Sequence, residues 1–162
     1  MNKATFVTLI DQKSEMLYRI ARTILRNDED CKDALQETAL KAWENRRQLR
    51  NEAMFGTWIT RICINACHSI GRKKRKYHLQ EDVCPVFEYP APDPALQIAL
   101  EALPEKWRLP LVLHYLEGYS YQDVAAVLRI PQTTVRSRLS RAREQLRRSM
   151  NAQKEARLYE TL

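Results

Sequence analysis

The segment 77–94 constrains the fold of this chain more than any other part of its sequence. It carries four acidic residues, no lysine or arginine, and four prolines, at Pro85, Pro90, Pro92 and Pro94. Prolines at this spacing exclude a helix interior, and a residue before proline favours an extended backbone. We therefore predict an acidic, extended linker, which could reach roughly 60 Å at about 3.3 Å per residue. It separates two blocks, residues 1–76 and 95–150, and a tail follows at 151–162.

The charge of the two blocks indicates the kind of partner. Residues 1–76 carry 16 Lys/Arg against 9 Asp/Glu, and residues 95–162 carry 11 against 7. Two basic blocks on either side of an acidic linker suggest a polyanionic partner, most often nucleic acid. Net charge that only maintains solubility is the alternative explanation.

Several classes of protein are disfavoured by composition. Only three glycines occur among 162 residues, which argues against an all-β sandwich or a glycine-cradled nucleotide fold. No apolar run approaches the roughly 20 residues that span a bilayer, and Met1–Ile10 lacks the pattern of a signal peptide. With four cysteines, a cytoplasmic protein without membrane insertion is expected. No phosphate loop or catalytic triad order is present, so neither an enzyme, a cofactor nor a small-molecule substrate is expected.

Apolar residues at helical spacing predict an all-α fold of two small helical domains. In the first block the stripes run through Leu17–Leu25, Cys31–Trp43 and Phe55–Ile70 and predict a three-helix bundle, with Asn27 as an N-cap. A separate short helix is predicted at Thr5–Asp11.

Four helices are predicted in the second block. They span Ala95–Leu103, Glu105–Glu117, Tyr121–Leu128, and from Thr133 to about Met150. Pro110 should kink the second of them or delay its start, and Gly118 should end it. Ser120 and Thr133 are the expected caps of the last two helices. The final dozen residues are polar and are expected to fray.

The last two helices and the turn between them predict a helix-turn-helix. Arg129 occupies a turn position where glycine is common and is expected to be left-handed. The predicted recognition helix buries Val135 and Leu139 and presents polar residues from its amino-terminal part, where such helices contact base edges. The candidate base contacts are Arg136, Ser137, Ser140 and Arg141, and the candidate phosphate contacts are Arg138 and Arg143. A solvated basic face is the alternative.

The third helix of the first block ends in five consecutive cations, Arg72–Lys76. Five cations exceed what a helix C-terminus needs, so Lys73, Lys74 and Arg75 are expected to contact phosphates. A polar face opposite the apolar stripe could read an exposed base by its hydrogen-bonding edge. Its members are Arg61, Asn65, Ser69 and Arg72.

Two further groups of residues are ambiguous from the sequence alone. Asp33, Gln36 and Glu37 lie on the exposed side of the second helix and indicate no more than a solvated face. Cys63 and Cys67, four residues apart, could bind zinc with Cys31, but small core residues are the favoured interpretation, so no metal is predicted. Cys84 in the linker is a candidate for redox sensing.

The combination of motifs resembles bacterial extracytoplasmic-function sigma factors of the sigma-70 family. The motifs similar to region 2 of that family are Asp33–Thr38, Lys41–Trp43, Phe55–Ile59 and Arg61–Ala66. Those similar to region 4 are Leu103–Pro104, Glu117–Tyr121 and Thr134–Glu144. The resemblance covers nearly the whole chain, in order, around the linker.

The resemblance implies a protein that binds core RNA polymerase, through its β′ and β subunits, and directs it to promoter DNA. Asp33, Gln36 and Glu37 would contact polymerase, and Asn65 would lie near the captured −10 base. The four candidate base contacts of the recognition helix would read the −35 element. An anti-sigma factor and a role in an envelope or extracellular stress response are further expectations. A two-domain helix-turn-helix regulator that binds DNA without polymerase is the alternative.

Overall fold

A computed structural model describes residues 1–77 and 93–161. These residues form two compact units, one built on the helices before residue 77 and one on helices after residue 93. All regular structure in the described part of the chain is helical, which confirms the predicted all-α class. The predicted linker lies almost entirely outside the described residues.

The first unit is a bundle of three helices: α1 (Lys3–Leu25), α2 (Asp28–Glu44) and α3 (Phe55–Lys76). Two 3₁₀ turns, Arg46–Gln48 and Glu52–Met54, join the last two helices.

The cap of α2 follows a local sequence signal, but the predicted start of the first long helix, α1, is wrong. Asn27 caps α2 as predicted, since its side chain accepts a hydrogen bond from the Asp30 backbone N–H at 2.9 Å. The separate helix predicted at Thr5–Asp11 is wrong, because α1 is continuous from Lys3. The intervening residues include no glycine or proline, so nothing in the sequence interrupts the helix there.

The core of the first unit is formed by the predicted apolar stripes. Ile20 and Ile59 have no exposed surface, and the ring of Phe55 is almost fully buried. The Phe6 ring lies 6.3 Å from the Phe55 ring and 5.2 Å from the Trp43 ring, both at edge-on angles that aromatic pairs favour. This packing fixes the faces that α2 and α3 present to solvent.

The helices after residue 93 are α4 (Pro94–Ala102), α5 (Glu105–Leu111), α6 (Tyr121–Leu128) and α7 (Gln132–Glu160). Asp93 caps α4 and Pro94 occupies its first turn, where the missing N–H of proline costs little. The bounds of α6 are those predicted from the sequence.

Pro110 was predicted to kink the helix or to delay its start, and a delayed start is wrong. The helix begins at Glu105 with Pro110 buried inside it, and a π-helical turn, Val112–Leu116, follows. Proline removes one N–H donor from the backbone hydrogen bonds of the helix, and the π-helical turn, which is wider than an α-helical turn, comes directly after it. Gly118 ends this segment with φ 75°, as predicted, in a conformation that glycine adopts without strain.

The prediction for the last helix is wrong at both ends. α7 begins at Gln132, directly after Pro131, and no side chain caps it, so Thr133 lies inside its first turn. It also continues to Glu160, ten residues past Met150, where the tail was expected to fray. Residues 151–160 contain mostly strong helix formers, and the Gln153 side chain donates a hydrogen bond to the Ala95 carbonyl at 3.2 Å.

Candidate nucleic-acid interface

The helix-turn-helix is formed by α6, the turn that follows it, and α7. The Ser120 side chain accepts a hydrogen bond from the Asp123 backbone N–H at 3.1 Å and so caps α6 as predicted. Arg129 adopts the left-handed conformation, with φ 56°, and the next N–H, that of Ile130, donates to the Ala125 carbonyl. An arginine therefore occupies the turn position where glycine is common, and the turn closes.

The four candidate base contacts lie together on one exposed face of α7. Val135, Leu139 and Ala142 have no exposed surface and fix the opposite side of the helix. Residues four apart on a helix share a face, so burial of this stripe turns the polar positions outward. The exposed set is Arg136, Ser137, Ser140 and Arg141, all on the amino-terminal half of α7.

The two candidate phosphate contacts of α7 are less free than the base-contact set. Arg138 is half-buried, and Arg143 donates a hydrogen bond from Nη1 to the Tyr115 hydroxyl at 2.8 Å. This hydrogen bond raises the pKa of Arg143, which stays charged. Sequence reasoning missed Tyr115, because its contact with α7 joins residues 28 positions apart.

The polar face predicted on α3 is present. Asn65 and Arg72 are exposed, and Arg61 and Ser69 are half-buried. Ile64 and Ala66, on either side of Asn65, are buried, so the amide is presented between two residues that anchor the helix. The amide carries both donors and an acceptor, which is the chemistry needed to bind a base edge.

Lys74 differs from its neighbours in the basic run that ends α3. Arg72, Lys73, Arg75 and Lys76 are exposed, whereas Lys74 forms an ion pair with Asp30 at the start of α2. The two side chains are 21% and 10% exposed, so Lys74 links α3 to α2 rather than facing solvent. A sequence signal was available, because position 74 continues at helical spacing the inward-facing stripe of Cys63 and Cys67, which are buried, and Ile70, which is half-buried.

The outer face of α2 combines charged side chains with one exposed apolar residue. Asp33 and Gln36 are exposed, and Glu37 pairs with Lys41 at 2.6 Å. Leu40, four residues after Gln36, is 66% exposed. Sequence analysis did not select Leu40, although a leucine that falls outside the buried stripe of an amphipathic helix is a signal for a contact surface.

Models of two protein families match the chain, one in each unit. The model described as Sigma-70 region 2 matches residues 9–77, and Sigma-70 region 4 matches residues 95–146. The ECF RNA polymerase sigma factor SigM of Mycobacterium tuberculosis is 35% identical over 152 residues, which cover 91% of this chain and 78% of SigM. The chain belongs to the ECF RNA polymerase sigma factors of the sigma-70 family.

Further similarities extend over most of this ECF sigma factor. SigW of Bacillus subtilis is 27% identical, over 90% of this chain and 88% of SigW. The sigma factor RpoE of Bartonella quintana, solved in complex with the anti-sigma factor NepR, is similar with a TM-score of 0.77 and 25% identity over 91% of this chain and 97% of that one. CnrH, solved with the cytosolic domain of CnrY, has a TM-score of 0.73 and 25% identity over 93% and 90%. Sigma factors are regulatory proteins rather than enzymes.

Three cysteines of this ECF sigma factor lie in the core of region 2. Cys31, Cys63 and Cys67 have no exposed surface, and burial raises the pKa of the Cys31 thiol to about 12. The Cys63 thiol donates to the Leu17 carbonyl at 3.8 Å. Within residues 1–77 and 93–161, no group of three His, Cys, Asp or Glu side chains could hold a metal ion. Cys84 lies outside the described residues.

Among the helices that the structure describes, none combines the length and the apolar character that a bilayer crossing requires.

Proposed function

We propose that this ECF sigma factor binds core RNA polymerase and directs it to promoters by contacts with a −10 and a −35 element. The observation that carries the proposal is the exposed face of α7, where two arginines and two serines project from a helix whose opposite side is fully buried. It acts in the cytoplasm through binding, without catalysis and without a cofactor.

Region 4 recognises the −35 element through this face. Arg136 and Arg141 supply the fork of N–H donors that binds guanine in the major groove, while Ser137 and Ser140 accept a wider range of partners. Arg138 and Arg143 contact phosphates at the edge of the site, where they add affinity but little base selectivity.

Region 2 recognises the −10 element through α3. Asn65 binds the edge of an exposed base, and Arg61, Ser69 and Arg72 line the same face. The exposed cations Lys73 and Arg75 contact the phosphate backbone and make binding depend on salt. Lys74 is assigned to the ion pair with Asp30 and not to DNA.

The outer face of α2 binds the polymerase β′ subunit. Asp33, Gln36 and Glu37 give a polar surface around the exposed Leu40 side chain. An apolar residue within a polar rim is the arrangement that protein interfaces use. The solved relatives in complex with NepR and CnrY support a further proposal, that an anti-sigma factor holds this protein inactive.

Run-off transcription tests the proposal. Purified core polymerase is given a pool of promoter fragments with and without the full-length chain, and the transcribed fragments are sequenced. We expect initiation only when both proteins are present, and enrichment of fragments with shared −10 and −35 elements.

Two variants make the transcription test specific. The double substitution Arg136→Ala with Arg141→Ala should lose the −35 preference, whereas Arg157→Ala, on the same helix but 16 residues beyond Arg141, should retain it. Tight duplex binding by the protein alone, without polymerase-dependent initiation, would instead indicate a regulator that acts without polymerase.

A further inference from the structure

Two arginines on the same face of α7 contact tyrosines from outside that helix. The Nη1 group of Arg143 donates to the Tyr115 hydroxyl at 2.8 Å. The guanidinium of Arg136, seven residues earlier and therefore nearly two turns away, lies 5.8 Å from the centre of the Tyr121 ring. The Tyr121 hydroxyl also interacts with Arg143.

These two tyrosines are held in place by His114. The His114 ring centre lies 4.8 Å from that of Tyr115 and 4.7 Å from that of Tyr121. Its Nδ1 atom lies 2.6 Å from the Tyr119 carbonyl oxygen, so Nδ1 carries the hydrogen and donates it. We name His114, Tyr115 and Tyr121 the aromatic bracket.

The aromatic bracket is connected to buried residues of region 4. Its histidine and first tyrosine belong to the π-helical turn that follows the buried Pro110, and Leu113 beside them has no exposed surface. The Tyr119 backbone N–H donates to the Leu113 carbonyl and closes the turn at Gly118. The bracket is thus attached to the core of region 4 independently of the exposed face of α7.

We propose that Tyr121 and Tyr115 are positioning residues, which hold Arg136 and Arg143 in the orientations that region 4 uses on promoter DNA. This inference rests on the proposed function. The Tyr121 ring offers Arg136 a cation–π contact, which uses none of the N–H donors of the guanidinium. Those donors form the two hydrogen bonds to guanine. The Tyr115 hydroxyl takes one donor of Arg143 and leaves the others for phosphate.

The expected gain in affinity for DNA comes from arginine side chains that are already ordered before DNA binds. A free arginine side chain samples many rotamers, and fixing them on binding lowers affinity. A guanidinium that already contacts a tyrosine has lost part of that freedom. Tyr121 therefore acts on base selection through Arg136, whereas Tyr115 acts on general affinity through Arg143.

Transcription by the holoenzyme tests the two roles separately. Core polymerase with each full-length variant is assayed on the preferred promoter and on promoters changed singly at each −35 position. Tyr121→Leu should reduce discrimination at one position by about twofold to fivefold, the size of an exposed cation–π contact. Tyr121→Phe keeps the ring below Arg136 and should keep that discrimination. Tyr115→Phe should weaken all promoters alike, by about twofold, and leave discrimination unchanged.

A second measurement follows the arginines without DNA. NMR relaxation of the arginine Nε–Hε groups in the free protein should show Arg136 and Arg143 more ordered than Arg141. Tyr121→Leu should remove the order of Arg136, whereas Arg143 keeps its hydrogen bond to Tyr115 and should lose less. Thermal melting of each full-length variant reports on the fold, and Tyr159→Phe, at a site 78% exposed near the end of α7, is the matched control.

The outcomes separate this inference from the proposed function. Equal mobility of the three arginines, or equal discrimination by the Tyr121→Leu variant and the wild type, would overturn the positioning role even if transcription depends on the protein. A uniform loss on all promoters by Tyr121→Leu, with discrimination unchanged, would overturn it as well, since Tyr121 would then not act on base selection through Arg136. Ordered arginines in a protein indifferent to the −35 sequence would overturn both the proposed −35 contacts and the claim of base selection.

Discussion

Regions 2 and 4 hold their cationic surfaces in place by different means. In region 2, the basic run at the end of α3 is tied to α2 by the Lys74–Asp30 ion pair, which is largely buried. In region 4, Arg136 and Arg143 contact tyrosines at the surface, and the core stripe of α7 lies on the other side of the helix. The orientation of the basic run should therefore depend on the stability of region 2, while region 4 can lose an arginine contact and stay folded.

The largest expected effect follows from breaking the Lys74–Asp30 ion pair of region 2. Lys74→Met leaves the Asp30 carboxylate buried without its partner, and we expect a loss of about 3 kcal/mol in the free energy of unfolding. Urea unfolding followed by circular dichroism measures it. Lys73→Met removes an exposed cation next to it and should change stability by less than about 0.5 kcal/mol.

A double substitution shows whether the ion pair itself is responsible. Asp30→Asn combined with Lys74→Met removes both charges and should restore much of the stability lost in the single variant, since no unpaired carboxylate remains. Equal stability of Lys74→Met and Lys73→Met would mean that Lys74 is an ordinary surface cation, and the contrast between the regions would disappear.

The next effect concerns region 4 and should not involve stability. Arg136→Ala or Arg141→Ala should each weaken −35 recognition by about 1–3 kcal/mol, the size of a lost bidentate base contact. Transcription from promoters with changed −35 bases measures it, and thermal melting should be unaffected because both side chains are exposed. A parallel fall in melting temperature would place these arginines in the fold, as Lys74 is in region 2.

Much of this architecture was predictable from the sequence, because caps and periodicity are local signals. Asn27, Ser120 and Gly118 each mark a helix end that the structure contains. The extension of α7 past Met150 was missed because its polar residues form no apolar stripe, although they favour helix. The family comparisons confirm the resemblance that the ordered motifs suggested.

The site was less predictable than the fold, for a physical reason. Lys74 looks like its neighbours in a run of five cations, and only its register with Cys63, Cys67 and Ile70 reveals that it points inward. Tyr115, in the turn after Pro110, and Tyr121, the first residue of α6, reach the arginines of α7 only in the folded structure. Contacts between residues distant in sequence carry no local pattern.

A smaller effect is expected on the face of α2 that we propose to bind polymerase, which involves neither the Lys74–Asp30 ion pair nor the tyrosine contacts of α7. Asp33→Ala combined with Glu37→Ala should weaken binding to core polymerase by about tenfold, equivalent to about 1.4 kcal/mol, as for interface residues of moderate importance. Fluorescence anisotropy of the labelled protein with core polymerase measures it, and far-UV circular dichroism should be unchanged. Asp11→Ala on α1 is the matched control. Wild-type affinity in the double variant would remove these residues from the interface.

The smallest effect is a pH dependence that again separates the two regions. A hydrogen bond from Tyr18 on α1, and then one from Lys32, lower the pKa of Asp28 below its ordinary value of 3.8. Because the folded-state pKa is depressed, the stabilisation is complete above the ordinary value and is lost as the pH falls through the folded-state value. Urea unfolding between pH 2 and 7 should show wild type more stable than Asp28→Asn at neutral pH, with the difference vanishing in acid.

In region 4, hydrogen bonds from Arg147 and then Arg148 lower the pKa of Glu144 in the same direction, but all three residues lie on α7. Glu144→Gln should therefore change the pH dependence of the free energy of unfolding in acid less than Asp28→Asn does, because the Asp28 carboxylate joins two helices. An equal or larger change in Glu144→Gln would show that the link from Asp28 to Tyr18, between α2 and α1, adds no stability beyond that of a contact within one helix.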